Sequence, residues 1–206
     1  MVKIILMFMV AYLLGSIPSG VWLGKKVYKK DIREFGSGNS GTTNTFRVLG
    51  FKAGVTVLLA DVLKGTAAGS LPYLLNSDLN PMVVGLGAVV GHTFPLFAQF
   101  KGGKAVATSA GVLLAYNPPF FVFCVSLFLV ILYFSRMVSF SSILGSLIIA
   151  PSSLITNDWI LTIIASILAI FIIYRHKENI KRIRLGTESK VPFGYGYTKN
   201  KKNHQQ

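Results

Sequence analysis

Seven apolar stretches divide the chain, at residues 4 to 23, 53 to 75, 82 to 98, 104 to 116, 119 to 135, 140 to 155 and 159 to 174, with short polar connectors between them. The pattern predicts an all-α bundle of membrane helices. Crossing a bilayer core takes about 20 residues. Several stretches fall short of that, the fourth most of all because Asn117-Pro118-Pro119 closes it. Short or tilted helices, with ends inside the protein or in locally thinned bilayer, reconcile these lengths with spanning. The expectation is seven transmembrane helices, with six spans and one re-entrant segment as the alternative. The first stretch ends in Ser16-Ile17-Pro18-Ser19-Gly20 without a convincing cleavage site, and reads as a retained span rather than a signal peptide.

Composition agrees with the pattern. Of 206 residues, 52% are hydrophobic and 14% charged, and mean hydropathy is +0.58, too apolar for a soluble domain of this size. The net charge of +14 gains meaning once it is laid along the chain. All of the 21 Lys and Arg except Lys3 and Lys64 fall in alternate connectors or after residue 174, whereas NSDLNP, NPP and TND contain none. The positive-inside rule then puts the N-terminus outside and the C-terminus in the cytoplasm, which requires an odd number of spans. The basic balance is accounted for by topology, so no nucleic acid partner is expected.

The whole chain, residues 1 to 206, reads as one integral membrane domain, with 193 to 206 as a flexible basic tail. Three pairs of glycines four apart, Gly20 with Gly24, Gly65 with Gly69 and Gly87 with Gly91, predict close helix packing among the first three stretches. Asp61 and Lys64 share one helical face of the second stretch and are expected to form a structural ion pair. The single Cys124, within FFVFCVSLF, can build neither a disulfide framework nor a cysteine metal site. The four aspartates Asp31, Asp61, Asp78 and Asp158 are scattered over both sides, so no divalent-metal cluster of the kind a CDP-alcohol phosphotransferase needs is expected.

The densest polar chemistry lies in GSGNSGTTNTFR, residues 36 to 47. Its glycines fit the G-x-G-x-x-G dinucleotide fingerprint. Yet KKVYKKDIREF precedes it where a buried strand is required, and no βαβ pattern occurs elsewhere. FKGGKA at 100 to 105 likewise lacks the spacing of a Walker loop. What both stretches keep is the physics of anion binding: glycines that let backbone N–H groups converge, with hydroxyls and basic side chains beside them. Two more polar clusters, SRMVSFSS at 135 to 142 and RHKENIKRIRLGTES at 175 to 189, share the cytoplasmic side with these two and with His92. Folding is expected to gather all four into a basic, hydroxyl-rich bowl suited to phosphate. An anion or phosphate-ester transporter is the rival reading. Such a protein would carry polar groups deep in the outer half and an internal repeat, and the chain has neither.

GSIPSG at 15 to 20, the glycine motif, GHTFPLFAQFKGGKAVATSAG at 91 to 111, RMVSFSS at 136 to 142 and RHKENIKRIRLGTE at 175 to 188, in this order, resemble the bacterial acyl-phosphate:glycerol-3-phosphate acyltransferase family over nearly the whole chain. Thr42 stands where many relatives carry alanine. The resemblance implies a multispan bacterial plasma-membrane enzyme with its active site on the cytoplasmic face. It would move a fatty acyl group from acyl phosphate to glycerol 3-phosphate and make lysophosphatidic acid. The resemblance places the donor at Ser37, Gly38, Asn39, Thr43, Asn44 and Arg47, and glycerol 3-phosphate at Lys104, Ser139, Ser142, Arg175, His176, Asn179 and Glu188. Ser37, Arg47, Lys104 and His176 are the expected catalytic residues. No cofactor and no metal are implied; a monomer is expected, fed by a peripheral acyl-phosphate synthase. Phe97 and Lys181 stand five residues after His92 and His176, and no histidine has an aspartate four residues on, so the His/Asp mechanism of other glycerolipid acyltransferases is absent. The resemblance implies that the substrate's own phosphate accepts the hydroxyl proton.

Overall fold

The computed structural model describes residues 1 to 198, all helix and connection, with no strand among the described residues. The chain divides into two compact units, Met1–Phe121 and the part from Val122 onward.

In the first unit, α1 (Val2–Gly15) and α2 (Ser19–Val27) come from one apolar stretch. The stretch breaks with a 43° bend where Pro18 supplies no N–H and its ring crowds the preceding turn. A 3-10 turn, Ile32–Glu34, leads to α3 (Thr42–Leu49), a short polar helix that no apolar pattern announces. Then come α4 (Phe51–Leu74), α5 (Pro81–Thr93), a 3-10 turn at Leu96–Ala98, and α6 (Val106–Tyr116). Asn80 caps α5 by accepting from the Met82 N–H at 2.8 Å, with Pro81 in the first position, where a missing N–H costs nothing. Met7, Ala11, Ala68, Val84 and Ala88 form the core where α1, α4 and α5 meet.

The glycine pairs mark close backbone approaches. A Cβ on Gly65 would overlap the Thr108 carbonyl on α6, and one on Gly91 would overlap the Tyr12 carbonyl on α1. Gly20 and Gly24 admit the 30–40 connection onto α2, since their Cβ atoms would stand 2.5 Å from the Ser40 carbonyl and 2.6 Å from that of Lys30. The expected packing of the first three stretches thus holds for Gly87 and Gly91 against α1, while Gly65 and Gly69 serve the fourth stretch instead.

The second unit takes in most of α7 (Pro118–Ser135), then α8 (Val138–Ser152), a 3-10 turn at Ser153–Thr156, α9 (Trp159–Arg175) and α10 (Lys177–Arg184). Asp158 caps α9 through the Leu161 N–H at 3.0 Å. The α9–α10 pair bends by 59° at His176. Burial follows membrane logic. α8 buries Ser139, Ser141, Ser142, Gly145 and Ser146 and exposes Leu147 and Ile148, and α9 exposes Ile163, Ile167 and Ile170 along one side. Such apolar outer faces are solvated by lipid, and small or hydroxyl residues make the helix contacts.

By length and composition four helices among the described residues can cross a membrane, Phe51–Leu74, Pro81–Ala98, Pro118–Ser135 and Val138–Thr156, and up to six if each bent pair is one span. Val106–Tyr116 is the remaining apolar helix. It starts two residues later than the pattern predicts because Lys104 and Ala105 are not helical, and Ala105 adopts a left-handed conformation at φ 58°. Of the expected flexible tail, residues 193 to 198 are tied down: the Tyr195 N–H donates to the Tyr133 carbonyl at 2.8 Å, and the Arg136 guanidinium lies 4.9 Å from the Tyr197 ring centre. Residues 199 to 206 lie outside the described residues.

Candidate active site

The four polar clusters come together two by two, one pair in each unit. In the first unit the glycine loop is held from behind by Asn44, the third residue of α3. Its side-chain oxygen accepts from the Ser37 N–H at 2.9 Å, and its amide nitrogen lies 2.7, 2.9 and 3.1 Å from the carbonyls of Ile32, Asn39 and Phe35. Gly36 and Gly38 supply the left-handed turns this wrap requires, at φ 61° and 69°, and a Cβ on Gly36 would strike the Asn44 oxygen. Asn39 closes its own turn through the Gly41 N–H at 2.9 Å. Asn44, buried, therefore shapes the loop, whereas Ser37, Gly38, Thr43 and Arg47 are exposed on its outer side.

Before the loop, Arg33 clamps Asp31 in a fork, Nη2 to Oδ2 at 2.7 Å and Nε to Oδ1 at 3.0 Å, and Lys25 stands 3.1 Å from Oδ2. The Arg33 guanidinium bond, opposed by burial and reinforced by the Arg33 N–H and Lys25, holds the Asp31 carboxyl far below its ordinary range. Gly102-Gly103 comes to the loop from the other side. A Cβ on Gly41 would stand 3.9 Å from the Gly103 Cα, and the Gly103 N–H donates to the His92 carbonyl at 3.1 Å. Gly103 also lies against the Nε2 edge of the His92 imidazole, leaving no room for a side chain. Lys104, half-buried, follows directly. The result is two glycine-lined turns side by side with cationic side chains at their rims, an arrangement matched to phosphate oxygens. In the same unit an apolar groove of about 310 Å³ runs between α2 and α4, lined by Ile17, Trp22, Leu23, Val27, Val57 and Ala60 among others.

In the second unit Glu188 gathers the remaining residues. It accepts from the Ser139 hydroxyl and the Asn179 amide, both at 2.8 Å on Oε1, and from Arg182 Nε at 2.7 Å on Oε2. Burial opposes its charge, but these donors outweigh that cost and hold its carboxyl below the ordinary value. His176, buried at the α9–α10 break, has Nδ1 2.8 Å from the Ile172 carbonyl. A carbonyl only accepts, so Nδ1 carries the proton and Nε2 is the acceptor nitrogen of the ring. Ser142, also buried, donates to the Val138 carbonyl at 3.0 Å, and Arg175 is half-buried one residue before the break. Arg182 escaped the sequence reading although it stands only six residues before Glu188, because a basic run offers no sign of which member pairs inward.

The family model for glycerol-3-phosphate acyltransferases matches residues 5 to 186. The chain belongs to this family. Among the acyltransferase's relatives, the glycerol-3-phosphate acyltransferase of Enterococcus faecalis is 57% identical and that of Limosilactobacillus reuteri 55%, covering 97% and 95% of this chain and 97% and 94% of theirs. That of Listeria monocytogenes is 53% identical over 92% of this chain and 98% of its own. Among solved structures, the glycerol 3-phosphate form of PlsY, an integral membrane glycerol 3-phosphate acyltransferase, superposes with a TM-score of 0.83 at 35% identity, over 91% of this chain and 95% of that one. Its lysophosphatidic acid form gives 0.82. The resemblance carried by the motifs is thereby established at the level of family and of an all-helical membrane fold.

Proposed function

We propose that the chain transfers a fatty acyl group from acyl phosphate to the sn-1 hydroxyl of glycerol 3-phosphate, yielding lysophosphatidic acid and inorganic phosphate, on the cytoplasmic face of a bacterial plasma membrane that it spans seven times. The observation that carries this reading is the meeting of two glycine turns, around Gly41 and Gly103, each with an exposed or half-exposed cation, because a reaction between two phosphate-bearing substrates needs two such cradles at once.

The donor is an anhydride and already activated, so no acyl-enzyme is needed. The glycerol oxygen forms its bond to the acyl carbonyl carbon, the carbon–oxygen bond to phosphate breaks, and phosphate leaves with the electron pair. Ser37, Thr43, Arg47 and the backbone at Gly38 and Asn39 would bind the donor phosphate and stabilise the charge that develops there. Asn44 contributes by holding that loop in shape. The groove between α2 and α4 suits the acyl chain. Lys104, Ser142, Arg175 and His176 would take glycerol 3-phosphate, with Glu188 orienting Ser139 and Asn179. His176 Nε2 can accept a hydrogen bond from the glycerol hydroxyl, while the proton itself passes to a substrate phosphate oxygen.

The test is acyl transfer by detergent-purified protein from synthetic acyl phosphate to labelled glycerol 3-phosphate, with acyl-CoA, EDTA and Arg47→Ala as controls. Lysophosphatidate is expected from acyl phosphate alone, unchanged by EDTA and reduced at least about a hundredfold in Arg47→Ala. Product from acyl-CoA instead would move the donor assignment. Well-folded protein inactive with both donors would overturn the reading.

A further inference from the structure

Asp61 lies in neither glycine turn, yet it is hydrogen-bonded to the first residue of the helix that follows one and stands beside the histidine that seats the other. On α4 it is 2% exposed, and its carboxylate accepts from the Ser19 hydroxyl at 3.1 Å and the Thr42 hydroxyl at 3.2 Å. Lys64 Nζ stands 2.8 Å from Oδ1 and His92 Nδ1 3.7 Å from the same oxygen. Lys64 also donates to the Ile17 carbonyl at 2.9 Å, occupying an acceptor that the break before Pro18 exposes. A buried carboxylate needs further donors for its remaining lone pairs whatever its role, so the informative point is which groups supply them. The other partners are not arbitrary neighbours. Ser19 opens α2, Thr42 opens α3 immediately after the glycine loop, and His92 carries the carbonyl and the ring against which Gly103 is seated.

We propose that Asp61 is a positioning residue for acyl transfer, setting the glycine loop and the Gly102-Gly103-Lys104 turn at the spacing at which their bound groups react. This rests on the proposed reading of those turns as cradles for the two substrates. Misplacing reacting groups by about 1 Å can cost on the order of a hundredfold in rate. The consequence is a fall in kcat, because each cradle keeps its own ligands and only their separation is disturbed.

Two double variants test this beside the wild type. Ser19→Ala/Thr42→Ala leaves the Asp61–Lys64 pair intact. Asp61→Asn/Lys64→Gln removes both charges together, so no unpaired charge stays buried. Steady-state kinetics with acyl phosphate and glycerol 3-phosphate, and melting temperature in detergent, are measured for each. Both variants are expected to stay folded and to lose about tenfold or more in kcat, with either KM within about threefold of the wild type. A wild-type kcat in Asp61→Asn/Lys64→Gln would reduce Asp61 to a structural ion pair and overturn the proposal. So would a change confined to KM. Should that variant fail to fold, Ser19→Ala/Thr42→Ala decides by the same criteria. Wild-type protein inactive with these substrates would count against the reaction assigned above, independently of the role of Asp61.

Discussion

Glu188 is ionised against its own burial. Arg182, Asn179 and Ser139 stabilise the charged form by more than desolvation penalises it, so the folded chain holds this proton less tightly than the unfolded one. That stabilisation is complete above the unfolded carboxyl value of about 4.3 and disappears as pH falls through the lower folded value. Melting temperature in detergent should therefore drop on the acid side for the wild type and stay flatter there for Glu188→Gln, which is itself less stable at neutral pH because an amide keeps one acceptor oxygen and turns its NH2 either toward Arg182 or toward Ser139 and Asn179, all donors. A wild type and variant with parallel acid limbs would disprove the coupling. His176 poses a kinetic question at the same scale. If substrate phosphate accepts the hydroxyl proton, His176→Ala lowers turnover by roughly ten- to a hundredfold and leaves the acid limb of the kcat/KM profile in place. Loss of that limb would transfer the base role to the imidazole, whose Nδ1–H bond to the Ile172 carbonyl puts the neutral ring's acceptor lone pair on Nε2.

At the scale of elements, glycine decides which helices touch. A methyl group on Gly65 would overlap the Thr108 carbonyl, whereas one on Gly145 of α8 would meet nothing within 4 Å. Gly65→Ala should thus destabilise the protein by about 1–3 kcal/mol through overpacking of α4 on α6. Gly145→Ala should be neutral or stabilising by up to about 1 kcal/mol, since alanine is the better helix former. Thermal unfolding of the two variants in one detergent separates steric contact from propensity. Proline acts more locally. Pro18 splits the first apolar stretch into α1 and α2, and the carbonyl released there is taken up by Lys64 from another helix. The apolar pattern marked all seven stretches that are helical, but it ran straight through this break and took in the non-helical Lys104 and Ala105, because hydropathy is blind to a missing N–H or a left-handed residue.

For the whole molecule, the charge distribution predicts an outward N-terminus and a cytoplasmic C-terminus. In a Cys124→Ser background, cysteine placed at the exposed Asp78 should react with a membrane-impermeant maleimide added to intact cells, and cysteine at the exposed Lys190 only after the membrane is opened. The reverse pattern would invert the topology and move the proposed site to the other face. The sequence alone determined that this is an all-helical membrane protein of the glycerol-3-phosphate acyltransferase family, because apolar length, charge asymmetry and ordered motifs are properties of residues taken one after another. It also named candidate site residues, from Ser37 to Glu188. Their division of labour was decided only by tertiary structure. Asn44 turns inward to hold the loop while Arg47 stays outside it, Arg182 is the cation that reaches Glu188, and Asp61 joins Ser19, Thr42 and His92 as well as the expected Lys64. The Asp61 contacts link four helices distant in sequence, and which polar groups meet in a lipid-solvated bundle depends on where glycine lets the backbones come close.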